Sequence, residues 1–195
     1  NWKNYLVWHS AIENILRKNI KIINKVTHVN INPYEGYYHN LKQQNEIIIP
    51  SQSFSVFPFS DTKTNYGISR LSEYFYNDKE LLNNFLQDIY EILSSNNIKM
   101  VIKMKKKKEN DEYKRDLKIF EKYRNNNEII FLTSELPVYD IASSTLGSIS
   151  MPFSSTALIA KKANKPSIYY DSSNFVDTND VYNHGINVLK NSDEL

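Results

Sequence analysis

Residues 151–171, MPFSSTALIAKKANKPSIYYD, carry the reading that decides the fold. A short apolar run, Ile149 to Met151, meets Pro152. Two serines follow, then an Ala/Leu/Ile segment that ends in Lys161 and Lys162. Asn164 and Pro166 break that segment, and a second apolar run, SIYY, ends at Asp171. The order is strand, turn, helix, turn, strand. Pro152 suits a helix start because it has no N–H to leave unpaired. Ser154, Ser155 and Thr156 fall in or just before the first turn, where hydroxyls, free backbone N–H groups and the helix dipole together favour an anion. In a parallel α/β sheet that position lies beside the carboxyl ends of the strands, where ligands bind. The stretch therefore points to phosphate, and to a nucleotide as its carrier.

Outward from this stretch the same alternation continues. SFSVFPFSD (53–61) alternates and is aromatic, as a strand would be. Leu82, Phe85, Leu86, Ile89 and Leu93 then make one apolar helix face, with Asp78 as a capping candidate. IKMVIKM (98–104) is a strand. Tyr113, Leu117, Phe120 and Tyr123 mark a helix, EIIFLT (128–133) a strand, ELPVYDIASS (135–144) a short helix and GSISM (147–151) a strand. INVLK (186–190) suits one more strand. Strands alternating with helices predict an α/β protein with a Rossmann-like, doubly wound parallel sheet. Towards the N-terminus, residues 1–25 place apolar side chains at largely helical spacing, and VTHVNI (26–31) looks like a strand. The expected organisation is an N-terminal helix or linker remnant at 1–25, followed by a nucleotide-sugar-binding domain at 26–195. Without an initiator Met, the chain reads as a fragment.

Composition narrows the function. The chain has 195 residues and a formal charge of +2, which gives no case for nucleic acid. It has no Cys, hence no disulfide framework and no thiolate chemistry, which fits a cytoplasmic setting. No apolar run approaches the roughly 18 residues that span a bilayer. There is no G-x-G-x-x-G, no Walker loop, no H-E-x-x-H and no G-x-S-x-G. The four histidines (His9, His28, His39, His184) lack metal-ligand spacing, and no D-x-D pair offers a set of metal ligands, so neither metal nor cofactor is expected.

The candidate site residues are those that the alternation brings to one end of the sheet. Ser60 and Asp61 follow the first strand. Lys103 ends the next, and could reach an anion as a point charge. Thr133 and Glu135 end the third, where they could read a base or ribose or simply cap a helix. Ser154, Ser155 and Thr156 open the helix after the fourth. Asp171 ends the fifth, where it could accept a sugar hydroxyl or start a turn.

At these residues the chain resembles a known group. SVFPFSD, the Lys103 strand with its basic continuation, and above all SISMPFSSTALIAKKANKPSIYYD are similar to bacterial surface-carbohydrate biosynthesis proteins of capsule and lipopolysaccharide O-antigen, which carry an MPFTS…KPSIYYD type of segment. The resemblance implies a glycosyltransferase of the GT-B architecture, with this chain as the C-terminal, donor-binding half and a missing N-terminal domain supplying the acceptor site and the general base. The partners it implies are a nucleotide-activated sugar and a glycan acceptor, with peripheral association at the inner face of the cytoplasmic membrane. More remotely, the paired serines resemble the Ser-Ser motif of sialyltransferases and Kdo transferases, which suggests a CMP-sugar; Lys103-Met104 stands where those enzymes have His-Pro. Catalytic residues are not identified. Two other readings remain open: a non-catalytic Rossmann-like module that binds a nucleotide or a partner, and a GT-B-like sugar-nucleotide epimerase.

Overall fold

The computed structural model describes residues 3–7, 10–28, 48–58, 79–103, 118–132, 136–174, 176–180 and 183–195. The chain divides into two compact units, Asn1–Glu46 and Ile47–Leu195.

The first unit is a β-α-β element. Strand β1 (Asn4–Val7) runs parallel to β2 (Lys25–His28), with Leu6 opposite Thr27. Helix α1 (Ser10–Asn19) connects them. The sequence predicted an N-terminal helix or linker remnant over 1–25, with the helix at 1–20. The β-branched and aromatic residues of NYLV instead make a strand, and helix starts only at Ser10. Glu13 of α1 accepts from Arg17 Nε at 2.7 Å, one turn on, and also contacts His28 Nε2 of β2. Those bonds hold its carboxyl below the usual range, the His28 contact first. β2 pairs with β1, and among the described residues the first strand of the larger sheet starts at Ser53 rather than near residue 26.

Among the described residues the second unit is built on a six-stranded sheet whose pairings are all parallel. Its strands are β3 (Ser53–Phe57), β4 (Lys99–Lys103), β5 (Ile129–Leu132), β6 (Gly147–Ser150), β7 (Ser167–Tyr170) and β8 (Asn187–Leu189). Their spatial order is β5-β4-β3-β6-β7-β8. The chain moves outward from β3 to β5, returns to the other side of β3, and moves outward again. That is the doubly wound order of a Rossmann-like sheet, with its reversal between β3 and β6.

Residue periodicity decides which helix covers which face. On one face Val56, Met100, Ile102, Ile149, Met151 and Tyr170 are buried with Leu82, Phe85, Leu86, Ile89 and Leu93 of helix α2 (Lys79–Ser95) and with Phe120 of the helical residues 118–121. On the other face Phe57, Val101 and Leu132 meet Ile141 of helix α3 (Val138–Ser144), while Tyr169 and Val188 meet Ala157 of helix α4 (Ser155–Lys162). Fully burying a Leu or Phe side chain is worth about 1.5–3 kcal/mol, so the α2 seam supplies much of the cohesion of its face.

Both longer helices of this unit stop by the same device. Asn97 and Asn164 adopt left-handed φ values of 55° and 56°. The next amide reaches back five residues, Ile98 N to Leu93 O and Lys165 N to Ala160 O. This is the Schellman closure, with Asn in the position more often held by Gly, and after α4 it is followed at once by Pro166. The KKANKP run therefore ends the helix by its own chemistry. Gly147 is needed for a different reason: a Cβ there would sit 2.6 Å from the Phe54 ring and 3.0 Å from the Pro166 carbonyl.

Candidate functional site

The crevice expected of such a sheet lies outside the carboxyl ends of β3 and β6, where the strand order reverses. β3 ends at Phe57 and β6 at Ser150, and the ladder continues one step further, with Met151 N donating to Phe57 O at 3.2 Å. The chain then turns sharply into α4. Ser154 N donates to Met151 O at 3.3 Å, Pro152 stands second in the turn, and Phe153 stands third with φ +60°. A Pro followed by a left-handed residue is the pattern of a type II turn, whose third position ordinarily takes Gly. A phenylalanine there costs on the order of 1–2 kcal/mol of backbone strain, which its ring offsets by packing on Tyr169 with centroids 6.4 Å apart.

Hydroxyl groups fasten the start of α4 from below. Ser154 is its N-cap, with extended backbone at ψ 135°, and its Oγ accepts from Thr156 N at 3.3 Å. Thr156 Oγ1 lies 2.6 Å from Ser154 Oγ and 2.9 Å from Ser150 Oγ on the strand. Tyr169, opposite Ser150 in the sheet, donates its hydroxyl to Ser154 O at 2.9 Å. Burial pushes the Tyr169 phenol well above its ordinary pKa, so it remains a donor. One step deeper, Ser55 and Ser148 share a hydrogen bond between the strands, and Thr145 Oγ1 donates to the Ser55 hydroxyl and the Gly147 carbonyl. All of these side chains are buried.

The predicted site residues separate into groups. Ser154 and Thr156 sit where the strand order reverses, but their hydroxyls are committed to the helix start and to each other. Ser155 is half-buried in the first turn of α4. Lys103 ends β4, level with Phe57 on the same sheet face, and is 7% exposed. It lies two strands from Ser150, about 10 Å at the usual strand spacing, so a ligand held at α4 is within reach only of its long side chain. Asp171 follows β7, two residues beyond Tyr169, which is the residue level with Lys103, and is fully buried. Its Oδ1 accepts from Ser173 N and Oγ and its Oδ2 from Val176 N at 2.7 Å, so the carboxylate closes the turn that follows. Ser60, Asp61, Thr133 and Glu135 lie outside the described residues, as do Trp2, Trp8 and Lys105 to Lys108.

Three residues that shape this end of the sheet escaped the sequence reading: Ser150, Phe153 and Tyr169. A signal for the first was present. Ser148 and Ser150 alternate with Ile149 in a strand predicted to be central, and buried hydroxyls must find partners. A cavity of about 480 Å³ lies elsewhere, along the outer strand β8 and Thr178, Asn179, Asp180, Asn183, Gly185 and Ile186 before it. Among the described residues no group of three His, Cys, Asp or Glu side chains could hold a metal ion, and no helix is long and apolar enough to cross a membrane.

All of residues 1–195 match the family described as "Polysaccharide biosynthesis PFTS motif protein". The chain belongs to this family. No curated protein matches it. Among solved structures it is similar to the UDP-GlcNAc 2-epimerase from Methanocaldococcus jannaschii, with 14% identity and a TM-score of 0.54. That likeness covers 94% of this chain and 50% of the other, so this chain spans about half the length of that protein. At such identity the likeness is one of fold, and the fold is the Rossmann-like α/β arrangement with a mostly parallel sheet and flanking helices.

Proposed function

We propose that this chain is the nucleotide-sugar-binding half of a GT-B glycosyltransferase that builds a bacterial surface polysaccharide, working at the cytoplasmic side of the membrane. The observation that carries this reading is the Met151–Thr156 turn. A rigid helix start stands at the point where the strand order reverses, the position at which open α/β sheets bind ligands. Four residues there, Pro152, Phe153, Ser154 and Ser155, differ from the letters of the family's name only in Ser154.

In this reading the donor's phosphate lies against the first turn of α4, with the Ser155 hydroxyl as a further donor and Lys103 approaching from β4. Transfer breaks the bond between the sugar's anomeric carbon and the phosphate oxygen, and negative charge grows on that phosphate. Helix-terminus N–H groups fixed in advance stabilise such charge without having to reorganise. A base on a further domain removes the acceptor's proton. The expected donor is a CMP- or UDP-sugar, and the expected partner is a glycan acceptor.

A sugar-nucleotide epimerase is the second reading, favoured by the fold likeness to an enzyme of that name. An epimerase inverts a carbon of the bound sugar and needs no glycan acceptor. Calorimetry of the full-length protein with CMP- and UDP-sugars tests nucleotide binding. Incubation of the sugar that binds, with and without a glycan acceptor, separates the two activities. Sugar appearing on the acceptor supports transfer, whereas an epimerised nucleotide sugar formed without acceptor supports the second reading. No binding of any nucleotide sugar removes both.

A further inference from the structure

We infer that the cavity along β8 binds a neutral sugar unit of the polysaccharide that this family serves, apart from the turn before α4. The inference stands on the walls of that cavity and on family membership, and does not need a nucleotide at the turn. The cavity holds about 480 Å³, which falls within the ~300–1,000 Å³ usual for small-molecule sites.

One wall belongs to the polar stretch that leads into β8, and its bonds fix it. Asn183 N donates to Asp180 O at 2.9 Å, and Ile186 N donates to Asn183 O at 2.9 Å. Between Asn183 and Ile186, His184 and Gly185 have φ values of 53° and 70°, the left-handed pair of a type I′ turn. Asn183 is 3% exposed, and its side-chain N–H groups donate to Asp177 O at 2.9 Å and Thr178 O at 3.1 Å. Its Oδ1 has no hydrogen-bond partner among the described residues. A buried acceptor left over in the residue that lines a cavity calls for a donor, and a sugar hydroxyl is one.

The other wall is the outer edge of β8. Asp171 N donates to Leu189 O, so Leu189 faces β7, and Val188 beside it turns its N–H and C=O outward. Lys190 also faces outward, where its N–H is taken by Glu194 Oε2 at 2.8 Å. Among the described residues no strand pairs with β8 on that side. The cavity thus offers a backbone donor and acceptor beside carboxamides and a threonine hydroxyl. Sugar hydroxyls both donate and accept, so they match this mixed lining. The described lining holds one carboxylate, Asp180, and no Lys or Arg, which suits a neutral ligand rather than a phosphate. Lys161 reaches the same turn and donates to Gly185 O at 2.8 Å.

The test titrates full-length protein with neutral oligosaccharides released by mild acid from the host's own surface polysaccharide, and separately with CMP and UDP. The backbone amide shifts of Gly185 and Val188 report on the cavity. The oligosaccharides should move both amides saturably, and the nucleotides should leave them in place. Thr178→Val and Asn179→Ala change exposed side chains of the wall. Each should weaken the oligosaccharide about three- to tenfold and leave the melting temperature unchanged. Unchanged affinity in both variants, or oligosaccharide shifts confined to residues outside the cavity, overturns the inference. So does a parent in which none of these oligosaccharides moves Gly185 or Val188. Shifts at the two amides that follow protein concentration instead of sugar would show that the edge of β8 pairs with a second copy, and would overturn it as well.

Discussion

The hydroxyl of Tyr169 meets the carbonyl of Ser154 at 2.9 Å, joining the end of β7 to the N-cap of α4. This contact links two parts of the MPFSS…SIYYD segment that are fifteen residues apart in sequence. The tyrosine near the end of the segment holds the serine near its beginning. The segment is therefore one structural unit, in which Ser154 and Thr156 build the turn.

The proposed function gives opposite expectations for Ser154 and Ser155. Ser154→Ala removes the N-cap and deprives Thr156 Oγ1 of a partner, and should cost about 1 kcal/mol or more of stability, read by urea unfolding. Ser155→Ala should leave stability nearly unchanged and weaken nucleotide binding by about 1.5–3 kcal/mol, the worth of a hydrogen bond to a charged group. Ala160→Asp supplies the reference for scaffold damage. Ala160 is fully buried, so a carboxylate there should lower the melting temperature steeply. Affinity lost in Ser154→Ala with stability intact would mean that the roles are reversed.

Phe153 offers a test of stored strain. Its left-handed backbone is tolerated while the ring rests on Tyr169. Phe153→Ala loses the ring and keeps the strain, whereas Phe153→Gly loses the ring and relieves it. The glycine variant should be the more stable of the two by about 1 kcal/mol, against the usual preference for alanine. Chemical denaturation of both variants measures the difference. Equal stabilities would mean that the turn relaxes once the ring is gone.

The doubly wound sheet was legible because each β-α step of the second unit announces itself in local chemistry. The α2 stripe from Leu82 to Leu93 is regular, and Asn164 with Pro166 ends α4 where helix chemistry requires. The N-terminal unit was misread because Tyr5 and Leu6 fit a helical period as well as they fit a strand. Only pairing with β2 decides between them, and pairing is not local. That the Met151–Thr156 turn stands where the strand order reverses was legible for the same reason as the fold, since it follows from strand order. The roles of its residues were not. Ser154, Thr156 and Asp171 all read as ligand candidates, but a hydroxyl or carboxylate that closes a turn has the same sequence signature as one that waits for a ligand. What separates them is the partner across the fold: Ser150 and Tyr169 for the serines' turn, Val176 for Asp171.

In the N-terminal unit, the lowered pKa of Glu13 makes a prediction at the acid end. A carboxylate held below its ordinary 4.5 contributes stability that is present above that value and is lost as pH falls through the folded-state value. Helicity of α1 and its contact with His28 should therefore weaken below about pH 4.5. Glu13→Gln should remove that acid-side dependence. Backbone and His28 side-chain chemical shifts along an acid titration of both proteins report it. An identical titration of the His28 resonances in the two proteins would show that the contact has no share in the unit's stability.

Tyr170 governs the alkaline end. It points to the opposite sheet face from Tyr169, where its ring lies 6.0 Å from Phe85 and its hydroxyl donates to Asp88 Oδ2 at 2.5 Å, tying β7 to α2. Burial first, and then the bond to Asp88, push its pKa well above the ordinary 10.0. The sign follows from linkage. In the unfolded chain the phenol ionises near 10, whereas in the folded chain it keeps its proton, so the stabilising contribution is complete below pH 10 and is lost as pH rises towards the folded value. The folded protein should accordingly lose stability above about pH 10, with both Tyr169 and Tyr170 contributing. Tyr170→Phe should flatten part of that loss. At neutral pH it should also cost stability, because it leaves Asp88 without its partner on β7. Urea midpoints at pH 8, 10 and 11 for parent and variant test this. Curves that stay parallel across that range would show that Tyr170 ionises as freely in the folded protein as in the unfolded chain.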